Sequence, residues 1–115
     1  ATWCGYCLQE MPVLANIQRS MGRQHVQVIA VNLEDRDTYR RVRWKLDGLD
    51  LINAYDPRQV GQRAYGVTGL PHMVIIGRDG KVRAVHRGYS ESSLPGIVET
   101  LNQAAKDKPG ESPRS

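Results

Sequence analysis

The sequence predicts an α/β fold, and three observations carry that prediction. Apolar residues recur at helical spacing in several stretches. Short β-branched runs of strand length lie between them, and glycine or Asp-Gly punctuation separates the two kinds. In order these give helix, strand, helix, short strand, helix, hairpin, helix, the alternation of a sheet flanked by helices. A length of 115 residues allows one domain with one core, and a composition of 40% hydrophobic and 24% charged residues is globular rather than disordered.

The first helix follows Trp3, with Leu8, Met11, Leu14, Ile17 and Met21 along its apolar face and Gly22 at its end. Val26 to Val31 is short, apolar and β-branched, which predicts a strand buried on both faces. Asp35 to Leu46 reads as a surface helix with Tyr39, Val42 and Leu46 on one side. Leu51 to Tyr55 is expected as a short edge strand, and Arg58 to Tyr65 as a short helix stopped by Gly66. Met73 to Ile76 predicts another buried strand. Arg78-Asp79-Gly80-Lys81 then turns the chain into an antiparallel partner at Val82 to His86. Ser90 to Ser93 offers caps for a last helix carrying Leu94, Ile97, Val98 and Leu101. The domain is therefore expected over residues 1–105, followed by a flexible polar tail at 106–115. No internal repeat is visible, and no apolar run approaches the ~20 residues of a membrane-spanning helix.

The net charge of +4 favours acidic partners. Much of the basic excess lies between Arg36 and Lys45, including Arg40, Arg41 and Arg43. A solvated helix face accounts for it, and an anion-binding surface is the other reading. Its two aromatics, Tyr39 and Trp44, do not make the aromatic platform of single-strand binders, so no specific nucleic-acid partner is expected.

The chain has two cysteines, spaced C-x-x-C. A loop that small makes a poor staple, which points to chemistry. At the start of a helix, positions i and i+3 are neighbours, with Cβ atoms ~5–6 Å apart. Cys4 sits where the unpaired amides and the positive end of the helix dipole favour a thiolate, so it is the expected attacking sulfur. Cys7, one turn further in, is expected to be shielded and to resolve the mixed disulfide. The competing reading is half of a zinc site completed from His25, His72 and His86, which show no paired ligand spacing. Glu10 returns to the cysteine face three residues after Cys7, either to exchange protons with the buried sulfur or as an exposed acid in an early helical turn. Pro12, inside the helix, removes a hydrogen bond to the carbonyl of Leu8.

Trp3-Cys4-Gly5-Tyr6-Cys7 resembles the W-C-x-x-C of the thioredoxin superfamily, and three further segments resemble its TlpA/ResA/DsbE branch in order. They are Glu10-Met11-Pro12, Gly69-Leu70-Pro71 and the hairpin from Ile76 to Val82, and the similarity runs from Ala1 to about Ala105. The resemblance implies a thioredoxin-like fold, a central mixed sheet flanked by helices. It implies a cis Leu70–Pro71 bond whose loop packs against the cysteine pair and offers backbone groups to an extended substrate. Glu10 matches an active-site glutamate of the branch. Trp3, Tyr6, Leu70, Pro71 and His72 become candidate substrate-contacting residues, although ordinary packing also accounts for the two aromatics. His72 departs from the threonine often found after this proline. It either tunes the thiolate or touches substrate, or it is an inert neighbour.

In the resembled fold a central strand runs directly into W-C-x-x-C, and here Ala1 and Thr2 are all that correspond to it. The expectation is that the natural protein continues upstream, and that this chain alone is weakly stable or self-associating. The resemblance further implies thiol–disulfide exchange with protein substrates, chiefly as an extracytoplasmic, periplasmic reductase, with apocytochrome c as a partner and a thiol electron donor upstream. A membrane link is expected only through an N-terminal anchor outside the sequence. No cofactor is expected beyond the Cys4–Cys7 disulfide. The Gly5-Tyr6 dipeptide also resembles that of DsbC-type isomerases, so oxidase or isomerase activity stays open, and a single C-x-x-C suits exchange better than peroxide reduction.

Overall fold

The computed structural model describes residues 1–46 and 48–106. It divides into two compact units, Ala1–Pro71 and His72–Ser115.

The first unit opens with α1 (Gly5–Met21), whose N-cap is Cys4. Pro12 lies inside this helix, and Gly22 ends it at φ 88°, with its N–H donating to Gln18 O at 2.8 Å. Strands β1 (Ile29–Asn32) and β2 (Ile52–Tyr55) pair in parallel, from Ile29 opposite Ile52 to Asn32 opposite Tyr55. Parallel strands need a long crossover, and α2 (Arg36–Leu46) supplies it. Asp35 caps α2 by accepting from Thr38 N at 2.8 Å. The buried ring of Tyr39 on α2 stacks on Tyr55 of β2, with centroids 4.8 Å apart. That contact fixes the apolar side of α2 on the strand pair.

Gln18 ties three segments of this unit together. It is only 1% exposed, and its side chain is satisfied at both ends. Its Oε1 accepts from Val28 N at 2.7 Å, and its Nε2 donates to the carbonyl of Asp50. The first of these bonds explains where β1 begins. Sequence predicted a strand from Val26, but the N–H of Val28 goes to Gln18, and only its carbonyl joins the ladder, accepting from Ile52 N at 3.1 Å.

Burial on both faces of β1 is also corrected. Ile29 and Val31 are 58% and 51% exposed, so one face of the strand is open. The third helix is shorter than expected, α3 (Val60–Ala64). Gln59 takes the left-handed conformation at φ 59° and delays its start, while Asp56 accepts from Val60 N and Gln62 N, each at 2.9 Å. Gly66, at φ 65°, follows as predicted.

The second unit is a hairpin and a helix. Strands β3 (His72–Ile76) and β4 (Val82–Arg87) pair antiparallel, from His72 opposite Arg87 to Ile76 opposite Val82, with an irregularity at Ile75/Ile76. Gly80 supplies the positive φ of the turn, at 80°. Residues His72, Met73 and Val74 are half-buried, Ile75 is buried and Ile76 is half exposed, so β3 is not buried throughout. Helix α4 (Leu94–Lys106) buries Ile97. Its start differs from expectation. The Ser90 side chain does not cap it, and a single 3-10 turn at Glu91–Ser93 leads in, with Ser93 Oγ donating to Ser90 O at 2.7 Å. Lys106 is still helical, and the rest of the expected tail lies outside the described residues.

The strands expected as one mixed sheet thus occur as a parallel pair in the first unit and an antiparallel pair in the second. Among the described residues no helix is long and apolar enough to cross a membrane.

Candidate active site

Residues 1–4 form a tight turn closed by Cys4 N donating to Ala1 O at 3.1 Å. The turn delivers Cys4 to the N-cap of α1 in extended backbone geometry, φ −90° and ψ 97°. An N-cap side chain normally accepts from the unpaired amides of the first turn, and here sulfur does so: Cys7 N donates to Cys4 Sγ at 3.2 Å. The two cysteines are joined as a disulfide, with Cα atoms 5.2 Å apart. The spacing read from sequence therefore gives a bridged pair at a helix start.

One expectation is reversed. Cys4 is the more covered of the two, at 5% exposure, and Cys7 is half-buried. Cys4 closes the turn that precedes the helix, whereas Cys7 follows the exposed pair Gly5 and Tyr6.

Glu10 is buried, at 8% exposure, so the reading of an exposed surface acid does not hold. Burial alone pushes its carboxyl up to about 7, because the charged form loses water. Its position on α1, one turn beyond Cys7, gives the sulfur pair a neighbour able to hold or take a proton near neutrality.

Trp3 precedes the pair, Tyr6 lies between the two cysteines, and both are largely exposed, Trp3 at 73%. They are not core residues, which removes ordinary packing as their explanation. The Leu70–Pro71 bond is cis, and Pro71 is buried at the end of the first unit. His72 opens β3 in the second unit, half-buried, and its Nε2 is buried with no hydrogen-bond partner among the described residues. The first unit thus brings Cys4, Cys7, Glu10, Trp3 and Tyr6 together at the start of α1.

Among the described residues, no group of three or more His, Cys, Asp or Glu converges as metal ligands would. The basic helix keeps Arg36, Arg40, Arg41 and Arg43 exposed, consistent with a solvated face.

Sequence reasoning missed Glu34, whose carboxylate accepts from Thr2 N at 2.5 Å and from Thr2 Oγ1 at 2.8 Å. Burial works against its charge, but these bonds and one from Asn32 outweigh that and hold the carboxyl below its usual range. The available signal was an acid just beyond the carboxyl end of a strand, the edge where α/β folds gather their sites.

The Redoxin family model matches residues 1–104. The chain is similar to thiol-disulfide oxidoreductase ResA of Bacillus subtilis (strain 168), with 31% identity over 110 residues, covering 96% of this chain and 59% of that protein. It is also similar to thiol:disulfide interchange protein CycY of Rhizobium leguminosarum bv. viciae, with 29% identity over 107 residues, covering 90% of this chain and 56% of that one. The chain thus spans less than two thirds of these relatives. Among solved structures, a Chlorobium tepidum chain described as a thiol:disulfide interchange protein DsbE superimposes with a TM-score of 0.79 at 30% identity, covering 90% of this chain and 73% of that chain. A thiol-disulfide isomerase from Corynebacterium glutamicum shares the fold, with a TM-score of 0.75 at 24% identity over 92% of this chain and 76% of its own. The fold is thioredoxin-like.

Proposed function

The chain belongs to the Redoxin family, and on that footing we propose that it exchanges dithiols and disulfides with protein substrates through Cys4 and Cys7. The observation that carries this reading is Cys4 at the N-cap of α1, bridged to Cys7 and accepting its amide, with buried Glu10 one turn on.

In the reduced chain, the Cys4 thiolate attacks one sulfur of a substrate disulfide. A bond forms between Cys4 and that sulfur, and the other substrate sulfur leaves as a thiolate that takes a proton from water. Cys7 then gives its proton to the Glu10 carboxylate and attacks Cys4 Sγ. The Cys4–Cys7 bond forms, the mixed disulfide breaks, and the second substrate thiolate departs, taking up a proton. That last proton comes from Glu10. The substrate has thus gained two electrons and two protons, one by way of Glu10 and one from the water that took the Cys4 proton when its thiolate formed, and the chain has lost the same. An upstream dithiol donor restores the starting state. Trp3 and Tyr6, exposed at the pair, contact the substrate, and the Leu70–Pro71 loop of the same unit offers it backbone groups.

The direction we favour is reduction, outside the cytoplasm, on apocytochrome c or a similar C-x-x-C client. The similarity to ResA, CycY and DsbE supports this. The Gly5-Tyr6 dipeptide is the specific feature that favours an oxidase or isomerase instead.

The test is a redox titration in dithiothreitol and glutathione buffers, followed by Trp fluorescence and thiol alkylation. A two-electron transition is expected with a midpoint near or below the ~−270 mV of thioredoxin. A midpoint near the ~−120 mV of a strong oxidant reverses the direction. Thiols that never pair refute exchange altogether.

A further inference from the structure

We propose that Glu34 is a positioning residue for this exchange, fixing through Thr2 the turn that presents Cys4 to the start of α1. The inference rests on the exchange reading above and deepens it.

The anchor of the clamp is the carboxyl end of β1. Asn32 and Glu34 hold each other: Glu34 N donates to Asn32 Oδ1 at 2.7 Å, and Asn32 Nδ2 donates to Glu34 Oε1 at 3.3 Å. The carboxylate is therefore oriented by the strand end rather than free to swing. It then grips Thr2 by two donors at once, the backbone N–H at 2.5 Å and the hydroxyl at 2.8 Å, one on each oxygen. Two charge-assisted bonds on one residue define direction as well as distance.

Thr2 is a central residue of the turn closed by Cys4 N and Ala1 O, so whatever fixes Thr2 fixes the approach to Cys4. The turn has little apolar anchorage of its own, since Trp3 is 73% exposed. Cys4 in turn places its sulfur against Cys7 N. The chain of support runs from the strand end through Asn32, Glu34 and Thr2 to the N-cap sulfur. Misplacing a reacting group by about 1 Å costs up to ~100-fold in rate.

A rival role is purely electrostatic, and it has the opposite sign. A carboxylate acting only by its charge opposes a nearby thiolate, so removing it would lower the thiol pKa of Cys4. A clamp, once removed, lets the turn relax, and the sulfur loses its amide.

The test uses the full chain with Glu34→Ala, Glu34→Gln and Thr2→Val. Three quantities are read: the pH profile of Cys4 alkylation by mass spectrometry, the midpoint potential of the pair, and the rate of exchange with a peptide disulfide. The expected result for Glu34→Ala is a Cys4 profile shifted to higher pH and exchange slowed about tenfold or more. Glu34→Gln keeps an acceptor oxygen for Thr2 and recovers most of both. Thr2→Val keeps the amide, loses the hydroxyl and falls between. If Glu34→Ala does not fold, Thr2→Val alone decides. An alkylation profile unchanged, or shifted to lower pH, overturns the proposal, as does a Gln variant no better than Ala. A wild-type chain that alkylates normally yet exchanges with no disulfide refutes the exchange reading, whereas wild-type exchange with unaffected variants refutes only the clamp.

Discussion

The backbone N–H of Cys7 points at the sulfur of Cys4, 3.2 Å away, although the two side chains are already joined. When the bridge opens, that amide is in place to hold the negative charge on Cys4, together with the positive end of α1.

Cys4 should therefore be the more acidic thiol of the reduced chain. Brief iodoacetamide treatment near pH 6 is expected to label Cys4 several-fold faster than Cys7. Cys7→Ser should trap a mixed disulfide with substrate, and Cys4→Ser should trap none. Preferential labelling of Cys7 would reverse the two roles.

Glu10 makes stability and rate depend on pH in a defined sense. Its carboxyl ionises near 4.5 in the unfolded chain and near 7 in the folded one. Between these values the unfolded chain is the better anion. The contribution of Glu10 to stability is therefore greatest below about pH 4.5, falls as pH rises towards 7, and levels off above it, with about 3 kcal/mol lost. Glu10→Gln removes that loss, so urea midpoints should match wild type at pH 4 and exceed it at pH 8. The same substitution should abolish an inflection near pH 7 in the exchange rate. An equal stability difference at both pH values would contradict the buried-acid account.

Gln18 carries a stability prediction independent of the chemistry. Gln18→Ala strands the N–H of Val28 and the carbonyl of Asp50 and opens a cavity in a site only 1% exposed. The expected cost is about 3 kcal/mol, read as a lower urea midpoint with little change in slope. A loss under about 1 kcal/mol would show that water replaces both bonds.

Trp3 and Tyr6 should behave as contact residues rather than core. Trp3→Ala and Tyr6→Ala are expected to leave the melting temperature within a few degrees of wild type while raising KM for a protein disulfide several-fold. A large drop in melting temperature with KM unchanged would assign them to packing after all.

How far the sequence carried the reading depended on whether the determining interaction was local. The N-cap at Cys4, the Gly22 stop, the Asp79-Gly80 turn and the bridged pair all lie within a few residues of their cause, and each was legible. The cis bond before Pro71 came from resemblance rather than from spacing. Gln18 with Asp50 and Thr2 with Glu34 are each separated by 32 positions, so no pattern along the chain announces them. The late start of β1 has the same origin, because a distant glutamine takes the amide that a strand would have used. The burial of Cys4 relative to Cys7 was missed because dipole reasoning describes the charge at a helix start and not which side chain is covered there.

The closed bridge between Cys4 and Cys7 also fixes an order of encounters. For the proposed reductase neither sulfur is then available to open a client's disulfide, so the first productive collision is with a donor dithiol, and the client follows only after the donor has left. Steady-state turnover with both present should then be ping-pong, giving parallel double-reciprocal lines as the donor is varied at several fixed client concentrations.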